Sequence, residues 1–222
     1  FTVNDALPLL ARYVGSLPST GVRTSDFKDV GLRFPTGTQR VRVEKGREPR
    51  SETVISFFAD ASPAPAVQER LAQATAVLQM ALRDILRENL GQTYTVSVGF
   101  NQSLPQRGDG HVMISFGAAP ENVPPMVDRV LREVERLRRE GPSDDLTNRA
   151  KESARRDHET ALRQNGYWLG RLQTVELFGT DPGDIVRRTE RIAAVTPRVL
   201  QETFNQFFPA DRYTVATLAP EP

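Results

Sequence analysis

Apolar residues recur at three- and four-residue steps between Gln73 and Leu90, at Ala74, Leu78, Ala81, Leu82, Ile85 and Leu86. That spacing predicts a helix with one buried face. Gly91 stops it, and beyond the glycine the period changes: Tyr94, Val96, Val98 and Phe100 alternate with Thr95, Ser97, Gly99 and Asn101. Alternation of this kind predicts a strand with one face buried. The chain thus turns from helix to strand at one corner, with Arg87 in the last helical turn and Tyr94 opening the strand.

The same two periods organise the rest. Val41 and Val43 alternate with Arg40, Arg42 and Glu44 as a strand, and Gly46-Arg-Glu-Pro49 turns it toward a second strand, Thr53-Val-Ile-Ser-Phe-Phe58. The second strand is apolar on parts of both faces, which places it centrally in a sheet. Ser62-Pro-Ala-Pro65 precedes the long helix, which starts near Val67. Strands at about 93–102 and 110–117 flank a turn-rich loop, Leu104-Pro-Gln-Arg-Gly-Asp-Gly110, and form a hairpin.

From Glu121 to Glu140 a helix buries Val123, Met126, Val127, Val130, Leu131, Val134 and Leu137, while Arg129, Arg132, Glu133, Arg136 and Arg139 form a solvated face. Gly141-Pro-Ser-Asp-Asp145 ends that helix and caps the next, which runs through Leu146, Ala150 and Ala154 toward Trp168. Trp168, Leu169, Leu172, Val175, Leu177 and Phe178 are expected to resume a buried face, with Trp168 in the core or at an interdomain contact. After a break at Gly179-Thr-Asp-Pro-Gly183, Thr196 caps a last helix with Pro197 in its first position. Arg212-Tyr-Thr-Val-Ala-Thr-Leu218 is a closing strand. At the other end, Asn4 or Asp5 caps a short helix through Leu7, Leu10, Ala11 and Val14, followed by a linker, Gly15-Ser-Leu-Pro-Ser-Thr-Gly21.

Composition narrows the functional classes. A length of 222 residues suffices for one sizeable core. With 38% hydrophobic residues and no apolar run near the ~20 residues a span requires, no membrane-spanning segment is expected. Lys plus Arg is 29 against Asp plus Glu 28, so nucleic acid is not the expected partner. The absence of cysteine excludes disulfides, thiolate catalysis and cysteinyl metal sites, and leaves both periplasmic and cytoplasmic residence open. The chain opens Phe1-Thr-Val-Asn-Asp, without methionine or a signal-peptide pattern, and reads as a processed or excised piece.

The corner carries the clearest chemistry. Arg and Tyr are donors that can hold a carbonyl or an oxyanion without a cofactor. An Arg in a final helical turn also complements the helix dipole, and a strand Tyr also serves as half-buried packing, so the residues alone leave both roles open.

A helix ending Leu86-Arg87-Glu88-x-Leu90-Gly91, followed by Tyr94-x-Val96-x-Val98, resembles the non-catalytic, C-terminal half of the insulinase/pitrilysin family of zinc metallopeptidases. Further similar pieces follow in order: the strand Glu52–Phe58, the segment Gly108-Asp-Gly-His-Val-Met-Ile-Ser-Phe116, Gly117-Ala-Ala-Pro-Glu-Asn122, Val195-Thr-Pro197 and the closing strand. The resemblance implies an α+β half domain with a mostly antiparallel sheet, helices packed on one face and the order β-β-α-β-β-α-α-α-β. It divides the chain into a tail helix of a preceding domain plus linker, residues 1–24, and a peptidase-like domain, residues 25–222. It also implies that Arg87 and Tyr94 bind substrate, Tyr94 as the catalytic donor to the scissile carbonyl or its oxyanion. The implied partners are a peptide substrate and an N-terminal zinc-binding half on the same or a separate polypeptide.

The departure from that family is equally specific. Its zinc site needs His-x-x-Glu-His on a helix and a downstream Glu, and this chain has two histidines, His111 in a predicted strand and His158 in a predicted helix. No metal ligand is therefore expected on this chain, zinc belongs to the companion half, and the chain by itself is expected to be hydrolytically inert. The rival expectation is a catalytically inactive family member serving as a structural or assembly subunit. A hydrolase built on Ser, Asp and His158 lacks a Gly-x-Ser-x-Gly nucleophile turn.

Overall fold

The computed structural model describes residues 2–18, 21, 28–31, 33–90, 95–103 and 108–221, with the side chains of 86–90 outside the description. The chain divides into two compact units, Phe1–Val30 and Gly31–Pro222. In the first unit, helix α1 spans Val3–Tyr13. Thr2 caps it, not Asn4 or Asp5 as the sequence suggested, because the helix starts at Val3: Thr2 accepts from the Asp5 amide, and the Asp5 carboxylate, now inside the first turn, accepts from the Thr2 amide at 2.7 Å. This reciprocal box satisfies donors that a helix start otherwise leaves open.

The second unit runs β1 (Thr38–Glu44), β2 (Ser51–Phe58), α2 (Pro65–Leu90), β3 (Val96–Asn101), β4 (His111–Ala118), α3 (Val123–Glu140), α4 (Asp144–Ala161), α5 (Asn165–Phe178), α6 (Arg188–Ala193), α7 (Pro197–Phe207) and β5 (Tyr213–Ala219). The strands form one sheet in the order β1-β5-β2-β4-β3. Only the β1–β5 pair is parallel. β2 is central, as its two-sided apolar pattern requires. The turn after β1 does not make a hairpin with β2, because the closing strand β5 inserts between them and pairs with both. β1 is left at an edge, and its Val41 and Val43 remain about half exposed.

Alternation sets which face is covered. On β4, Val112, Ile114, Phe116 and Ala118 are buried while His111, Met113, Ser115 and Gly117 are half-buried. The buried set joins Ile55 and Phe57 of β2, Leu71, Leu78 and Leu82 of α2, Met126 and Val130 of α3, and Leu200, Phe204 and Phe207 of α7 in one core. The Phe208 ring packs at a tilt 4.8 Å from Phe204 and 5.5 Å from Phe57, tying the end of α7 to the sheet. The helices thus pack on one face of a mostly antiparallel sheet.

Local chemistry fixes the helix ends. Ser143 caps α4 by accepting from the Leu146 amide, and Thr196 caps α7 by accepting from Val199, with Pro197 in the first turn. Gly141 closes α3 at φ 74°, where an added Cβ would also lie 3.3 Å from Gln201 Cβ of α7. The Asp60 carboxylate accepts from the Gly108 and Gly110 amides at 2.7 and 2.9 Å, anchoring the end of the β3–β4 loop to the segment after β2.

Three sequence expectations need correction. The stretch from Asp144 to Phe178 is two helices, broken at 162–164, and a short α6 intervenes before α7, so five α-helices stand where three were expected. Leu169, Leu172 and Leu177 are 62%, 48% and 70% exposed, because the apolar residues of α5 are distributed around the helix and cannot share one buried stripe. Glu133, assigned to a solvated face, is buried and held by Arg136 at 2.7 Å. No described helix is long and apolar enough to cross a membrane.

Truncating Phe204 removes an aromatic ring that is fully buried between α7 and the sheet. Phe204→Ala is expected to lower unfolding free energy by about 3–5 kcal/mol, read from the urea midpoint at constant slope.

Candidate functional site

The end of α2 meets the start of β3 at the corner singled out by sequence. α2 continues to Leu90, which puts the backbone of Arg87 in its final turn, and β3 begins at Val96. The Arg87 side chain and the whole of Tyr94 lie outside the described residues. The flanks of the corner are firmly joined: Leu78, Leu82 and Val96 share the core, and the Val98 amide donates to Gln79 Oε1 at 3.2 Å. These contacts hold the body of α2 against β3 on either side of the junction.

A second polar cluster, not singled out by sequence, is built by the N-terminal half of α2. Glu69 and Gln73 are one turn apart on its buried side, 5% and 2% exposed. Glu69 accepts from Arg188 Nε of α6 at 2.7 Å and from the Gln73 amide at 3.0 Å. Burial works against the Arg188 charge, yet the Glu69 carboxylate and the neighbouring Tyr167 raise its pKa above the ordinary guanidinium value. His158 of α4 is 1% exposed, and its Nδ1 lies 3.2 Å from the Tyr167 hydroxyl of α5. Burial first, and then the Arg188 charge, push the imidazole pKa down, so it is held neutral.

This donor set does not suit zinc. Its carboxylate is already neutralised by Arg188, Gln73 offers an amide, and one buried imidazole remains. Among the described residues, no group of three or more His, Asp or Glu side chains could hold a metal ion. His111 is half-buried on β4, its Nδ1 2.9 Å from the Asp109 carbonyl and its ring edge-on to Phe34 at 4.9 Å. Trp168 is half-buried and donates its indole N–H to the Leu162 carbonyl at 2.8 Å, which fastens α5 to the end of α4. The hint for the cluster was present in the sequence as polar residues at positions 69 and 73 on the largely apolar, buried face of an amphipathic helix. Nothing local linked them to Arg188 or His158.

The architecture on the page is a mostly antiparallel sheet covered on one face, with the long helix α2 leading toward its edge strand β3. Residues 1–154 match the family described as the peptidase M16 inactive domain, and the chain belongs to that family. It is the C-terminal type of insulinase-family half. A "Zinc protease PQQL-like" protein of Arabidopsis thaliana is 26% identical over 243 residues, covering 97% of this chain and 25% of that protein. Among solved structures, the periplasmic protease PqqL from Escherichia coli superposes with TM-score 0.78 at 17% identity, covering 99% of this chain and 24% of that one. A peptidase M16 inactive domain from Pseudomonas fluorescens gives TM-score 0.77 at 16% identity, over 100% of this chain and 52% of that one. The chain therefore spans about a quarter of the length of the Arabidopsis relative and of Escherichia coli PqqL.

The buried cluster generates two expectations. Arg188→Met leaves Glu69 buried without its cation and should cost about 3 kcal/mol, with most of the loss recovered in Glu69→Met/Arg188→Met, measured by denaturant unfolding. An unfolded histidine takes up a proton below about pH 6.5, whereas folded His158 resists it. Stability should accordingly be full above that pH and fall as pH drops toward the depressed folded value. Urea midpoints measured between pH 7.5 and 5 should show this loss, and His158→Gln should remove its share of the slope.

Proposed function

We propose that this chain is the substrate-binding C-terminal half of a bipartite zinc metalloendopeptidase that cleaves peptides, with zinc held by a companion N-terminal half. The observation that carries this is the match to the peptidase M16 inactive domain over residues 1–154, a range that includes both Arg87 and Tyr94. The likeness to PqqL-type proteases, of which this chain spans about a quarter, supports a companion half on the same or a separate polypeptide. In this reading residues 1–24 are the tail of a preceding domain and its linker, and residues 25–222 form the peptidase-like half.

The roles follow from the chemistry of the two side chains. The Tyr94 phenol donates to the scissile carbonyl and to the oxyanion that develops on it, where a fixed donor contributes most in the transition state. The Arg87 guanidinium holds nearby substrate backbone or orients the phenol. β3 is the terminal strand of the sheet order and starts just beyond this corner. A peptide adding along its outer edge would gain affinity from backbone hydrogen bonds to the strand that follows this corner.

In the intact enzyme, Tyr94→Phe should reduce kcat roughly ten- to a thousand-fold with the fold unchanged, as expected for loss of an oxyanion donor. Steady-state kinetics on a fluorogenic peptide reads this directly. Turnover equal to wild type would remove Tyr94 from the chemistry.

A further inference from the structure

Beside the Glu69–Arg188 pair, the fold leaves a cavity of about 350 Å³ between the start of α2, the body of α5 and the segment leading into α6. This is at the small end of ligand pockets, which run from roughly 300 to 1,000 Å³. Pro63, Ala72, Val175, Phe178 and Ile185 supply apolar wall, and Arg171, Arg188 and Arg191 bring three guanidinium groups to it.

The carboxylate acceptors on that wall are already engaged. Glu69 receives Arg188 on one oxygen and Gln73 on the other. Asp184 receives Arg187 at 3.0 Å and stands 3.6 Å from Arg191, while its backbone carbonyl receives a second Arg191 nitrogen at 2.6 Å. Donors are left over. Arg191 Nε is buried without an acceptor. Arg171 lies over the Tyr167 ring at 5.3 Å and forms no ion pair with a carboxylate among the described residues.

A wall with surplus N–H groups and apolar surface complements a ligand that brings acceptors on an apolar body. A single carboxylate suits the planar guanidinium fork. Arg171, Arg188 and Arg191 outnumber Glu69 and Asp184 on the lining by one charge, which matches one negative charge on the ligand and leaves the second charge of a dianion unpaired. We propose that this cavity is a binding site for a monocarboxylate carried on an apolar or aromatic group, with Arg171 as the anchoring cation. A small free acid and the C-terminal residue of a peptide share that chemistry.

The test uses the sole tryptophan, Trp168, whose ring lies edge-on to Tyr167 of the cavity wall at 6.4 Å. The full 222-residue chain is titrated with 3-phenylpropionate, N-acetyl-Ala-Phe acid, N-acetyl-Ala-Phe amide and inorganic phosphate, with ligand-observed NMR on the same samples as a second readout. Saturable binding of at least one acid is expected, with the amide and phosphate weaker by about tenfold or more, the equivalent of one lost charge-assisted contact. Arg171→Met, an exposed position, should weaken the acid by about tenfold without moving Tm. Val175→Glu should abolish binding by placing a like charge in the wall. Binding confined to the peptide acid supports the site and identifies a peptide terminus, whereas binding confined to phenylpropionate supports it and identifies a free acid. The proposal is overturned if neither acid binds by either readout up to ~10 mM, if the amide or phosphate binds as well as the acid, or if Arg171→Met binds like wild type. These outcomes are independent of the Tyr94 kinetics, which are read in the intact enzyme.

Discussion

The structure depends on α2 sharing one apolar core with the covered face of the sheet. Leu71, Leu78 and Leu82 are buried there with Ile55, Phe57, Ile114 and Phe116, none more than 2% exposed. Each such side chain contributes roughly 1.5–3 kcal/mol on burial, far more than any exposed ion pair elsewhere on the chain. Because α2 has 26 residues, the same packing fixes features at both of its ends. Its start carries Glu69 to the Arg188 pair, and its last turn carries the Arg87 backbone to the edge strand.

The buried polar cluster is consistent with that rigidity. A carboxylate at 5% exposure is tolerable only with a cation and a further donor at hydrogen-bond distance, and Arg188 and Gln73 supply them. The cluster also locates α5 and α6, which have little apolar surface of their own in the core. α5 is attached through the His158–Tyr167 contact and the Trp168 hydrogen bond, and α6 through Arg188. Polar contacts of this kind demand particular geometry, so they fix where helices lie when the hydrophobic effect leaves them under-specified. The cavity lies beside these attachments, where side chains are held by directional bonds and do not interdigitate as they do in the core.

Membership of the peptidase M16 inactive-domain family accords with this division between a well-packed scaffold and sites at its margins. The edge strand β3, next to α2, and the guanidinium-lined cavity both lie at the margin of the core.

The sequence by itself determined the strands, the long helix, the hairpin, the helix break and cap within Gly141–Asp145 and the cap at Thr196. Each of these is written in local periodicity or in the chemistry of a single turn. It also determined the family, through the ordered run of motifs from Glu52 to Leu218, and the absence of a paired-histidine helix. Tertiary structure alone decided that β5 separates β1 from β2, since strand order depends on pairing between residues far apart in the chain and leaves no local trace. It likewise decided that Glu133 is buried, that α5 is largely exposed, and that Glu69, Arg188, His158 and Tyr167 form one cluster. A charged residue on a helix is buried or solvated according to what packs over it, and that neighbour comes from elsewhere in the fold.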